Sequence, residues 1–188
     1  MKQDDSQKTS RKQILAAAAF YAAVLIILFH RVVFSGFMLL PLDLVHEAIT
    51  PWASPDTELN VKTHYTSDSI LEIYPLAHYA YRGLKDEGRF PLWISSVNGG
   101  RPLLGDSIHV FLNPFNILWL FMSSDAAWNY RLLLQLFFAG FFMYLFVREI
   151  RISHVGGLFS GLCYMLNSMF VVLLLRNCIL GGFVWVPL

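Results

Sequence analysis

The order of apolar and polar positions divides this chain into blocks. A polar opening, MKQDDSQKTSRKQ, gives way to an unbroken apolar run over 14–29, and after His30 and Arg31 the apolar character resumes to Leu42. AAAAFYAAVLIILF is too long for the core of a signal peptide and lacks a small-residue cleavage site. The pattern therefore predicts a retained transmembrane helix over 13–35. Lys2, Lys8, Arg11 and Lys12 flank its start and place the N-terminus, 1–12, in the cytoplasm.

The next block, 36–127, holds ten carboxylates against five Lys and Arg, with prolines at 41, 51, 55, 75, 91, 102 and 114. It is too polar to span and is expected outside the cytoplasm. Inside it, VFLNPFNILWLFM at 110–122 is apolar but short, and Asn113, Pro114 and Asn116 interrupt its start. Two further spans follow, 128–147 and 155–175. If 110–122 crossed the membrane, Arg148 and Arg151 would fall outside. If it lies at the interface they fall in a cytoplasmic turn, 148–154, as the positive-inside rule asks. The last stretch, 176–188, reads as the start of a further, truncated membrane segment. The expected fold class is an all-α membrane protein: a helical bundle with a large extracytoplasmic first loop carrying short interfacial helices.

Composition agrees. Of 188 residues 56% are apolar and only 14% charged, and mean hydropathy is +0.51. A soluble domain usually carries about 25% charged residues. A formal net charge of +1 points to no nucleic-acid partner. Cys163 and Cys178 give neither a zinc pattern nor a disulfide framework, and read as buried small hydrophobes.

Candidate chemistry gathers in the loop. Asp68 and Glu72 are four residues apart, so a helix would put both carboxylates on one face. Asp43, Glu47 and Asp106 are further acids in the same loop, and Gly99-Gly100 opens backbone shapes closed to other residues. A carboxylate at a membrane surface can serve as general base, bind a cation, or simply be solvated. His46, His64, His78 and His109 show no metal-ligand spacing and read as surface or packing residues. No P-loop, GxSxG or dinucleotide fingerprint is present. Arg31, Arg131 and Arg176 lie near the outer ends of the three spans. Trp128, Arg131 and Gln135 share a helical face, where a guanidinium suits an anionic phosphate or a structural pair.

In order and spacing, Asp68, Glu72-Ile73-Tyr74-Pro75, Gly88-Arg89-Phe90-Pro91-Leu92-Trp93, Gly99-Gly100-Arg101-Pro102, Asp106, Asn113-Pro114 and Asn116-Ile117-Leu118 form a series of weak motifs. Across about 36–175, the series resembles the bacterial YfhO-like membrane proteins, of the wider GT-C group of polytopic glycosyltransferases. Ile73 stands where the family commonly has Tyr, and Glu72 where it has Gln. The resemblance implies a multi-pass protein of the bacterial cell membrane. It implies transfer of a sugar from a lipid-linked polyprenyl-phosphate donor to a cell-envelope acceptor on the extracytoplasmic side. Asp68 would be the catalytic base, with Glu72, Asp106 and Arg131 binding substrate. Some members hold a divalent cation at the acid, so the resemblance leaves the cofactor unknown.

Two other readings stand beside this one. A transporter or glycan-handling protein needs polar groups in mid-span, yet the mid-span regions here are nearly all apolar. A non-catalytic assembly protein would use Gly156, Gly157, Ser160 and Gly161 for close helix packing, which could equally be internal to one bundle.

Overall fold

The computed structural model describes residues 10–48, 67–97, 99–105, 111, 113–175 and 180–188. These residues are mostly helical. α1 is Arg11–Leu28, α2 His30–Phe34 and α3 Asp43–Ala48. A π turn, Ser69–Ile73, runs straight into α4, Tyr74–Glu87. A two-stranded hairpin, β1 Trp93–Ile94 and β2 Arg101–Pro102, departs from the all-α expectation. Then come a 3-10 turn at Pro114–Ile117, α5 Leu118–Phe121, α6 Ser124–Glu149, α7 His154–Met165, α8 Ser168–Leu175 and α9 Leu180–Phe183.

Among the described residues three helical runs are long and apolar enough to cross a membrane: Arg11–Leu28, Ser124–Glu149 and His154–Val172, the last taking in α7 and the start of α8. α6 is central, with half of its apolar window buried, against 17% for the first run and 22% for the third. The outer faces stay apolar, with Leu15, Ile27, Val155 and Phe159 exposed. A surface helix in water would carry polar residues there. The stretch at 110–122 supplies the 3-10 turn and α5, eight helical residues in all. That is roughly 15 Å of helix, half of a hydrocarbon core.

Local chemistry sets the element ends. Ser10 and Gln13 form a reciprocal capping box that starts α1. Asn167 restarts the third run as α8, its side chain accepting from the Phe170 N–H at 2.9 Å. Gly88, at φ 67, closes α4 in the left-handed conformation that glycine adopts at no steric cost.

Close contact between backbones holds the bundle. Ala17, Tyr21 and Leu25 form the buried stripe of α1. The Tyr21 O–H lies 3.3 and 3.1 Å from the carbonyl oxygens of Gly157 and Leu158 on α7 and donates to them. A Cβ at Gly161 would meet that hydroxyl at 2.2 Å and the Gly140 carbonyl of α6 at 2.5 Å. Gly157 and Gly161 therefore serve packing inside this bundle. They also explain where Cys163 lies. α7 turns Gly157, Gly161 and Met165 inward, so Cys163 falls on the opposite face and is exposed, contrary to the buried position expected for it. Cys178 lies outside the described residues. Residues 180–188 fold back on α6: Leu180 and Val184 are fully buried, and Trp185 stacks on Phe115 at 5.8 Å.

Candidate functional site

The segment between the first two apolar helices is anchored to the start of α6. The Trp128 indole N–H donates to the Leu39 carbonyl at 2.9 Å. The Asn129 amide donates to the Phe37 carbonyl at 2.9 Å and accepts from the Leu39 N–H at 2.8 Å. α4 packs through Leu76, Ala77, Ala80 and Tyr81, and Tyr81 stacks on Trp119 of α5 with ring centres 5.6 Å apart. Tyr74 donates from its hydroxyl to Asp125 in the first turn of α6. Burial first, and that bond second, push the Tyr74 phenol well above its usual range, so it remains a donor at neutral pH.

On this platform Asp68, Glu72 and Arg101 line one cavity of about 410 Å³, closed on its apolar side by Leu71, Leu76 and Val97. Pro75 shapes the approach. It has no N–H to give to residue 71, and the helix there runs in π register, the Tyr74 N–H bonding to the Ser69 carbonyl. Arg101 comes from the hairpin, whose turn passes through Gly99 and Gly100 at φ 76 and 109. At Gly100 a Cβ would lie 2.8 Å from the Trp93 indole, so this position is closed to side chains twice over. The Arg101 Nη2 donates to Glu72 Oε1 at 2.7 Å, both side chains being partly exposed. Asp68 is exposed, with no hydrogen bond or ion pair among the described residues.

The site residues expected from sequence thus part company. Asp68 and Glu72 share the cavity. Asp106 lies outside the described residues, as do Arg176, His64 and His109 and the side chains of His46 and Glu47. Asp43 is half-buried at the start of α3. Arg31 sits over the Phe37 ring at 4.8 Å. Arg131 is only 4% exposed and does not line the cavity. Its Nη1 donates to Asn116 Oδ1 at 2.8 Å, and its guanidinium lies 4.9 Å from the Trp128 ring centre. Asn116 in turn donates to the Phe111 carbonyl, which also accepts from Tyr81. Arg131 thereby holds the 3-10 turn to α6. Burial raises the Tyr81 phenol, while Asn116 and Arg131 nearby pull it back in part. Arg101 is the cavity residue that sequence reasoning did not single out; the Gly-Gly-Arg turn was its signal.

Among the described residues no three His, Cys, Asp or Glu side chains converge as a metal site. Compared with known proteins, the chain matches no protein-family model, no curated protein and no solved structure.

Proposed function

We propose that this protein is an integral membrane glycosyltransferase of the GT-C type. It moves a sugar from a polyprenyl-phosphate donor to a cell-envelope acceptor at the outer face of a bacterial membrane. The observation that carries the reading is the convergence of Asp68, Glu72 and Arg101 on one cavity, on a platform anchored to the apolar helices. In this reading the N-terminus and the Arg148–Arg151 turn are cytoplasmic and 36–127 lies outside, which keeps both basic segments on one side.

Each residue has a role. Asp68 takes the proton of the acceptor hydroxyl. The acceptor oxygen bonds to the sugar's anomeric carbon as the bond from that carbon to the donor phosphate breaks, and the phosphate leaves with the electron pair. Arg101 lines the cavity and meets the charge developing on the phosphate, a task that suits a guanidinium fork. Glu72, tied to Arg101, sets its orientation. Arg131, outside the cavity, holds the 3-10 turn to α6 through Asn116.

The test is Asp68→Asn in the intact protein in its own membrane, with labelled sugar followed from polyprenyl phosphate to the envelope acceptor. Asn keeps the shape and loses the base, so transfer should fall by roughly 10²–10⁴-fold, with the protein level in the membrane unchanged. Asp43→Asn, from the same loop, should retain most activity. Wild-type transfer by Asp68→Asn would overturn the reading in favour of a glycan-handling protein or transporter without transfer chemistry.

A further inference from the structure

The 3-10 turn and α5, residues 114–121, are apolar on two faces. Phe115 and Trp119 turn inward and are buried, while Ile117 and Phe121 turn outward at 57% and 77% exposure. The stretch around them, 110–122, holds no charged residue. A helical unit lying against water would carry polar side chains on its outer side.

The inner contacts fix how this unit lies against α6. Trp119 and Trp128 both pack on the Tyr74 ring, with ring centres 5.9 and 5.4 Å away. Asn116 accepts from Arg131 at 2.8 Å, and the Phe115 ring meets that of Phe138 at 5.4 Å. As the unit is followed back from 119 to 115, the level it reaches on α6 moves forward from 128 to 138. The unit therefore runs antiparallel to α6, beside its first turns. About 20 residues of helix cross a hydrocarbon core, so counting back from Arg148, near the other end of α6, the core starts near Trp128. Arg131 and Phe138 are then about 5 and 15 Å further along the axis, below the surface of a bilayer that α6 crosses.

The backbone of the unit is closed as that depth requires. The Phe115 N–H donates to the Asn113 side chain at 3.0 Å and the Asn116 N–H to the Asn113 carbonyl at 2.9 Å. The Phe111 carbonyl accepts from both Tyr81 and Asn116, at 2.6 and 3.1 Å. Irregular backbone at membrane depth is tolerated where the protein itself meets its polar groups.

We propose that 114–121 is a wedge that enters the outer leaflet beside α6 without crossing it. Ile117 sits among the acyl chains and Phe121 at their boundary with the headgroups. The wedge screens Asn113, Asn116 and Arg131, all buried, from the lipid. The proposal rests on the membrane placement of α6 in the reading above, and not on sugar transfer.

The test places a nitroxide label at Ile117→Cys or Phe121→Cys in the intact protein, in a Cys163→Ala, Cys178→Ala background, reconstituted in phosphatidylcholine vesicles. Both positions are exposed, so the label adds no volume to the packed interior. Phe146→Cys, on an exposed position of α6, is the lipid reference, and Ser95→Cys, exposed on the hairpin, the water reference. Oxygen, which partitions into lipid, should relax the labels at 117 and 146 more than a water-soluble nickel chelate does, and at 95 the order should reverse. The label at 121 should fall between, since four residues of helix raise it by about 6 Å along the unit. A label at 117 that behaves like the one at 95, with 146 still in lipid, overturns the wedge and leaves the membrane placement of α6 intact. A label at 117 shielded from both reagents also overturns it, because protein then covers this face. If 146 behaves like 95 as well, α6 does not cross the bilayer, and the placement and the wedge fall together.

Discussion

The three-helix bundle and the platform resting on it are built on opposite principles. In the bundle, backbones approach over Gly140, Gly157 and Gly161, and the outward faces are apolar. In the platform, chain segments are held by side chains reaching backbone carbonyls: Trp128 to Leu39, Asn129 to Phe37, Tyr81 and Asn116 to Phe111. In the proposed membrane setting, a bundle in lipid would gain little from burying apolar surface and would depend on close contact. An irregular platform must satisfy each buried backbone group individually. The first is therefore vulnerable to added volume, the second to a lost polar atom.

The largest effect should come from volume in the bundle. Gly161→Leu puts a side chain into the Tyr21 hydroxyl and the Gly140 carbonyl, and the carbonyl belongs to backbone that cannot step aside. A cost of about 3 kcal/mol or more is expected, read as a lower detergent-denaturation midpoint in mixed micelles. A near-wild-type midpoint would mean that the helices can separate freely, and the contrast would collapse. A smaller loss is expected from Asn116→Ala in the platform. It removes the acceptor for a buried guanidinium and a donor to Phe111, costing about 2 kcal/mol. Proteolysis should show it as faster cleavage near 111–122 with the bundle still intact. The smallest loss is Tyr21→Phe, which gives up one shared hydrogen bond and keeps the packing, at about 0.6 kcal/mol. If Tyr21→Phe proved costlier than Asn116→Ala, hydrogen bonding would outrank close contact in the bundle and the comparison would be reversed.

The long apolar runs made the three membrane-length helices readable from sequence, because length and hydropathy are local properties. The interruption at Asn113-Pro114-Asn116 likewise foretold that 110–122 forms only short pieces of helix. The pairing of Asp68 with Glu72 was readable as a four-residue spacing. Arg101 was not, because it reaches Glu72 from 29 residues away through a hairpin whose register no local pattern encodes. Arg131 read as a phosphate ligand or a structural pair because its position on α6 lies near the expected membrane boundary. Its burial depends on the 3-10 turn folding over it. Cys163 was misplaced for a related reason: an all-apolar helix does not announce which of its faces turns inward.

The π turn before Pro75 acts as a phase shifter. It inserts the equivalent of one residue into the helical count between Asp68 and α4, and each residue of an α-helix turns the chain by about 100°. α4 keeps Leu76, Ala77 and Ala80 on the buried face while Asp68 is rotated to share a cavity with Glu72 and Arg101. The orientation of the carboxylate is thus stored in the number of residues between two fixed points rather than in any contact of its own. A lineage could substitute the exposed Leu71 and keep the acid in place, but deleting a single residue of 69–73 would swing Asp68 away from the hairpin.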